Sequence, residues 1–343
     1  GEFSFTPNSK KETTGIDKDG ICMACRYAEL KDNSINWQTR EQELIELCDR
    51  FRAKDGSYDC VVPGSGGKDS AFTSHILKYK YNMNPLTVTW APHIYTDIGW
   101  KNFQRWIHAG FDNILITPNG KVHRLLTRLA FENLLHPFQP FVFGQRFAGL
   151  RIAQKYNINL VFHGESPFEY GSRSIKEAEA KGFEKEYFSG DGDHSKIFIG
   201  GVNIKDLVKV HGLSINDLQL YMPFTKEEMD VFPLEYHFLG YYLKWDPQEV
   251  YYYAVENTGF EANPERTEGT YSKYASLDDR IDGFHYYTSY IKYGLGRATM
   301  DAAQEIRNHK ITREEGIALI RRYEGEFPSR YFQEFLSYVD ISE

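Results

Sequence analysis

The stretch Tyr58 to Ser70, YDCVVPGSGGKDS, constrains the fold more than any other part of the chain. Tyr58, Cys60, Val61 and Val62 form an apolar run that reads as a short buried strand, bounded by Pro63 and Gly64. Ser65-Gly66-Gly67-Lys68-Asp69-Ser70 follows, and Ala71 to Tyr81 suits a helix. Strand, glycine loop and helix N-terminus together make an anion seat. Glycines let backbone N–H groups approach the anion, the Ser65 and Ser70 hydroxyls add donors, and the helix dipole favours negative charge. The spacing is not the Walker pattern, which needs a glycine at Val62 and Ser or Thr where Asp69 stands.

Strand and helix then alternate. Residues 84–92 read as a strand, Ile98 to Gly110 as a helix closed by glycine, and Asn113 to Thr117 as a third strand. Val122 to Leu135 and Gln145 to Tyr156 read as helices, and Asn159 to Gly164 as a fourth strand. This order implies an α/β fold, a parallel sheet with right-handed crossovers. Ligands in such sheets sit beyond the carboxyl ends of the strands, which gathers Ser65 to Ser70, Trp90 to Asp97 and His163 to Tyr170 around one crevice. Residues 182–200 are glycine-rich and charged and read as a mobile loop or boundary. Beyond them the signal is mainly helical, with a capping-box pattern at Thr312 to Glu315 and one more candidate strand within Leu234 to Trp245. The expected division is an N-terminal segment (1–57), a nucleotide-binding α/β domain (58–200) and a mainly helical region (201–343) that contributes substrate loops.

Bulk properties exclude several classes. Over 343 residues the charged fraction of 26% and hydrophobic fraction of 41% are those of a soluble globular protein. No run of about 18 apolar residues appears, so no membrane span is expected. The polar N-terminus, with Lys10, Lys11 and Glu12, shows no signal peptide, and Gly1-Glu2-Phe3 reads as a cloning remnant. A net charge of −8 argues against a nucleic-acid partner. Four cysteines in so long a chain make no disulfide framework, so a cytoplasmic location is expected. Cys22 and Cys25 form a C-x-x-C pair, which is half of a zinc site or two unliganded thiols in a turn. Cys48 and Cys60 read as packed thiols.

Candidate chemistry centres on the loop. Asp69 can bind a Mg²⁺ that neutralises phosphate charge in the loop. Lys68 either reaches a phosphate or points outward. His163 and Glu165 end the fourth strand; Glu165 can orient a substrate hydroxyl or ammonia and His163 can move a proton, or either is a satisfied buried group. Arg266 to Lys273 form a polar loop able to close on substrate phosphates through Arg266 and Lys273. Asp278-Asp279-Arg280 reads as a second acidic site or, more commonly, as a solvated helix start.

The Ser65 to Ser70 loop resembles the PP-loop of ATP pyrophosphatases, which hold the pyrophosphate end of ATP and transfer AMP to a substrate oxygen. Further segments agree with one family of that type: residues 19–25 (DGICMAC), 163–171 (HGESPFEYG), 266–280 (RTEGTYSKYASLDDR), 291–299 (IKYGLGRAT) and 311–320 (ITREEGIALI). The chain resembles the N-acetyl sugar amidotransferases of lipopolysaccharide and of pseudaminic and legionaminic acid biosynthesis. The resemblance implies conversion of an acetamido group to an acetamidino group. ATP adenylates the amide oxygen, and ammonia then displaces AMP. It implies ATP and Mg²⁺, with Zn²⁺ on the cysteines, and a nucleotide-linked or free N-acetyl sugar. Ammonia would come from a separate glutamine amidotransferase with a cyclase-like partner similar to those of imidazole glycerol phosphate synthase. The expected catalytic residues are Asp69, Lys68 and Glu165. Gly64 to Ser70, Trp90 and Gly164 would contact ATP, and His163, Glu165, Tyr170, Arg266, Tyr271 and Lys273 the sugar. The earlier C-x-x-C that completes a four-cysteine site in this family falls here near Gly1 and Ser4, neither of which is cysteine. Rival readings are a PP-loop tRNA thiolase, which needs a basic face, and a non-catalytic nucleotide-binding subunit.

Overall fold

A computed structural model describes residues 15–342, so the positions around Gly1 and Ser4 lie outside the described residues. Five parallel strands form the central sheet: β1 (Cys60–Pro63), β2 (Pro85–Trp90), β3 (Asn113–Ile116), β4 (Leu160–His163) and β5 (Glu235–Phe238). Their order is β3-β2-β1-β4-β5, with Val61 opposite Leu86 on one side and Val161 on the other. The chain leaves β1 towards one edge and returns through β4 to the other, which makes the end of β1 the switch point. That end carries Pro63 and the glycine loop.

Both faces of the sheet are covered, and the period of two along each strand assigns its side chains. Cys60, Val62, Leu160 and Phe162 pack with Leu44 and Leu47 of α2 (Trp37–Phe51) and Ile76 and Leu77 of α3 (Lys68–Tyr79). Val61, Leu86, Val88 and Val161 face the other way, onto Phe143 and Phe147 among others. These belong to α6 (Gln139–Lys155), which follows α4 (Asp97–His108) and α5 (Gly120–Leu134). Burial of such side chains contributes about 1.5–3 kcal/mol each, offset by the entropy of ordering the chain. Cys48 and Cys60 are packed thiols in the first of these layers, with burial pushing Cys48 up to about 12.

Two expectations change. Residues 182–200 are not a loose boundary: Phe188, Ile197 and Ile199 are buried in the main core. The helix start read at Asp278 to Arg280 stays a turn, which Ser276 enters at φ 55°, and α8 (Asp282–Tyr293) begins only at Asp282. The C-terminal helices are α7 (Pro247–Thr258), α8, α9 (Arg297–Arg307), α10 (Arg313–Tyr323) and α11 (Phe332–Val339). At α10 the Thr312–Glu315 capping box forms as its sequence predicts. The N-terminal α1 (Met23–Asn33) is tied to the 163–171 segment by a buried ion pair, Lys31 Nζ to Glu169 Oε2 at 3.1 Å, both side chains 6% exposed.

Candidate active site

The glycine loop is held open by its own hydrogen bonds. Gly64 N–H donates to the Val88 carbonyl on β2 at 2.9 Å. Gly66 lies at φ 86°, where a Cβ would stand 2.7 Å from the Phe103 Cα on α4, so only glycine fits. Its N–H donates to Ser70 Oγ at 3.3 Å, and Ser70 in turn donates to the Gly67 carbonyl at 3.1 Å. Ser70 therefore spends its proton on the loop and is a brace, not the anion donor the sequence suggested. Gly67 is the N-cap of α3 and has no capping side chain, which leaves the first-turn N–H groups facing outward.

Those groups open into a cavity of about 360 Å³ lined by Ser65 to Asp69, Glu165, Tyr170, Asp278, Asp282 and Arg297. Lys68 is buried, against the outward alternative, and both Asp69 oxygens accept from its ammonium at 2.7 Å. Tyr170 Oη donates to Glu165 Oε2 at 2.8 Å. Enclosure first, and the Asp69 charge second, push the Glu165 carboxyl up to about 7. Asp278 is raised by burial and partly restored by the Ser65 hydroxyl. Burial, then Asp278, push Asp282 up to about 7.

The 276–282 turn is no solvated helix start. Asp279 is 5% exposed, and its Oδ2 accepts from the His93 N–H at 2.7 Å and lies 2.6 Å from His93 Nδ1. This clamp holds the turn against the end of β2. Arg297, which the sequence reading missed, completes the wall: its Nη1 donates to Tyr286 Oη at 2.7 Å and its Nε pairs with Asp301 at 2.9 Å. Burial works against the Arg297 charge, but Asp301 and its neighbours more than offset it. A glycine-flanked arginine at a helix start (Gly294-Leu295-Gly296-Arg297) was the signal available in the sequence.

A second cavity, about 290 Å³ and walled by aromatic and aliphatic side chains, adjoins the first through Val142, Gln145, Glu165 and Tyr170. Gly64, Trp90 and His163 line it. Trp90 is thus beside the loop cavity and not within it, because its ring packs edge-on against His123 and Tyr221. His163 Nδ1–H donates to the Glu165 carbonyl at 3.1 Å, leaving Nε2 the lone pair, and burial holds the ring below its ordinary pKa.

Other expected residues stand elsewhere. A Cβ on Gly164 would lie 2.8 Å from Trp245 and 2.9 Å from Thr73 Oγ1, so this glycine serves packing and lines neither cavity. Arg266 forms a fork with Glu326 at 2.6 and 2.7 Å, Tyr271 Oη donates to Glu305, and Lys273 Nζ donates to the Pro264 carbonyl. None of the three lines the loop cavity, since each polar end is already satisfied by a partner away from it.

Among the described residues no three His, Cys, Asp or Glu side chains converge on a metal-sized space. Cys22 and Cys25 stand 3.4 Å apart, sulfur to sulfur, without a further ligand among the described residues, so the zinc expectation is not supported. Mg²⁺ is different. It is commonly held by one or two carboxylates plus substrate phosphates, so a single loop carboxylate at Asp69, open to the cavity, fits it.

A parallel α/β sheet with an uncapped helix start behind a Ser-Gly-Gly-x-Asp-Ser loop is the arrangement that the resemblance to PP-loop proteins implies. Residues 268–343 match the family described as LPS biosynthesis protein WbpG-like, C-terminal domain, a span that includes Asp278, Asp282 and Arg297. That match is confined to the C-terminal part of the chain, and there it agrees with the resemblance to enzymes of lipopolysaccharide biosynthesis. A curated relative, the uncharacterized protein MJ1599 of Methanocaldococcus jannaschii, is 36% identical over 87 residues, 25% of this chain and 31% of that protein. The chain thus spans less than a third of the curated relative it matches. Similar solved structures include NMN synthetase from Francisella tularensis (17% identity, TM-score 0.30, 77% of this chain and 98% of that one). Another is the U34-tRNA thiolase NcsA from Methanococcus maripaludis with its [4Fe-4S] cluster (11%, TM-score 0.34, 97% and 91%). Likenesses of that size say nothing about chemistry. No helix among the described residues is long and apolar enough to cross a membrane.

Proposed function

We propose that the protein is an ATP-dependent amidotransferase that converts the acetamido group of an N-acetyl sugar to acetamidino. The observation that supports this best is the uncapped start of α3, which opens into the same cavity as Glu165 and Arg297. An amide is a poor target for ammonia. Transfer of AMP to its oxygen makes that oxygen part of a leaving group, and a loop that holds pyrophosphate serves that step. In this reading the first-turn N–H groups of α3 and Lys68 hold the triphosphate, and the aromatic cavity beside Gly64 takes the purine. Arg297 stabilises charge as the α-phosphate is transferred. Glu165, braced by Tyr170, orients the acetamido group, and alignment does most of the work. Bound at Asp69, Mg²⁺ would supply neutralisation of the leaving pyrophosphate. Residues 58–200 then serve mainly the nucleotide and residues 201–343 supply the opposite wall. Ammonia is drawn from a separate glutaminase.

The test is product analysis with ATP, Mg²⁺, ammonium and a panel of UDP-linked, CMP-linked and free N-acetyl sugars. The expected products are AMP, pyrophosphate and a sugar lighter by the difference between O and NH, with an added positive charge. ADP and phosphate would falsify the reading.

A further inference from the structure

We propose that Asp282 accepts the proton that the attacking ammonia must lose. This rests on the amidotransferase reading above and adds to it a base, which the loop residues do not supply. Ammonia adds through its lone pair to the carbon of the O-adenylated amide, the C=N π pair moves onto the sugar nitrogen, and the now tetrahedral carbon bears –NH₃⁺. One N–H proton must depart before that carbon can collapse. The C–O bond to AMP then breaks, AMP leaves with the electron pair, and the remaining nitrogen lone pair forms the amidinium. The proton therefore needs an acceptor within reach of the nitrogen. No oxidant or other co-reactant is involved.

Two cavity carboxylates stand outside the side-chain pairings: Asp278, which the Ser65 hydroxyl of the glycine loop engages, and Asp282, which is left for the nitrogen. Asp282 is 9% exposed and lines the loop cavity together with Glu165, Tyr170 and Arg297, whose charge acts on it. It sits in the first turn of α8, and the Asp279 clamp on the His93 and Ile94 backbone fixes that turn. Ser276 is its hydrogen-bonding neighbour, whereas Asp69 is paired with Lys68, Asp279 with His93, and Glu165 with Tyr170. His285 also lines the cavity, but burial and the nearby His136 and Arg297 hold it neutral and too weakly basic for the task. Asp282 has the opposite setting, since enclosure makes its carboxylate a stronger base than an exposed one.

The measurement separates the two half-reactions in Asp282→Asn and Asp282→Glu, with the sugar from the panel that supports pyrophosphate exchange. Sugar-dependent ATP–pyrophosphate exchange reports adenylation alone. In Asp282→Asn it is expected to stay within about threefold, while amidine formation with ammonium falls about 10²–10³-fold, the usual worth of a positioned base. Asp282→Glu should recover part of that loss. Hydroxylamine, whose adduct sheds its proton readily to water, should rescue Asp282→Asn at least tenfold relative to ammonium. A merely structural role would lower both nucleophiles alike. Loss of exchange together with amidination, or equal losses with both nucleophiles, overturns the assignment. Absence of exchange in the unaltered chain would instead remove the amidotransferase reading, and the base with it.

Discussion

At the scale of single residues, the two arginines of the C-terminal region should behave oppositely. Arg297→Ala removes a charge from the cavity wall and is expected to lower kcat/KM about 10²-fold, read in the product assay above. Arg266→Ala breaks a fork with Glu326 that is about a third exposed on each side, so a cost of about 0.5–1 kcal/mol in melting and a near-unchanged kcat/KM are expected. Glu165 gives a pH signature. Its folded-state carboxyl titrates near 7, against an ordinary 4.5, so the folded chain holds that proton more tightly than the unfolded one. Stability from this group is intact below about 4.5 and is lost as pH rises to about 7. Glu165→Gln, which keeps an acceptor for Tyr170, should therefore gain in Tm over the native chain between pH 5 and pH 7.5. A flat difference across that range would show that the carboxyl is not raised. The loop glycines, Asp69 and Glu165 were legible in the sequence because a local pattern carries them. Arg297 and Asp282 were not, because they reach the loop only through a chain reversal far along the sequence.

Among the elements, α1 and the segment after β4 depend on each other. Lys31 and Glu169 are charges paired with little access to water, and Lys31 also donates to the Trp245 carbonyl at 3.2 Å. Lys31→Met strands the Glu169 carboxylate and should cost about 3–5 kcal/mol in chemical denaturation. Lys31→Met combined with Glu169→Leu should recover most of that cost. If the double variant is as unstable as the single one, packing of α1 and not charge pairing holds the contact. The same geometry joins α1 to the candidate site, since Glu169 precedes Tyr170, the brace of Glu165. This dependence was invisible in the sequence, where residues 31 and 169 carry no common motif.

For the whole molecule, the fifth strand decides how the chain can be divided. β5 pairs with β4 along Leu160–Glu235 to His163–Phe238, and the cavity wall comes from residues 274–297. A fragment of residues 58–200 would leave β4 as a bare sheet edge and lose half of the cavity. It is expected to melt without cooperativity and to bind no ATP in calorimetry. A cooperative, ATP-binding fragment would show that the nucleotide end folds alone. The surface of a chain with net charge −8 should likewise show no salt-sensitive retention of tRNA.

The strand, glycine loop and helix order, the parallel sheet and the anion seat follow from the sequence, because backbone freedom at glycine and hydrophobic period are short-range properties. Which charged groups line the loop cavity was settled only in three dimensions. A charge takes the partner nearest in space, so the partly exposed Arg266 turned to Glu326, the buried Asp279 to His93, and Arg297 to Asp301 at the cavity wall.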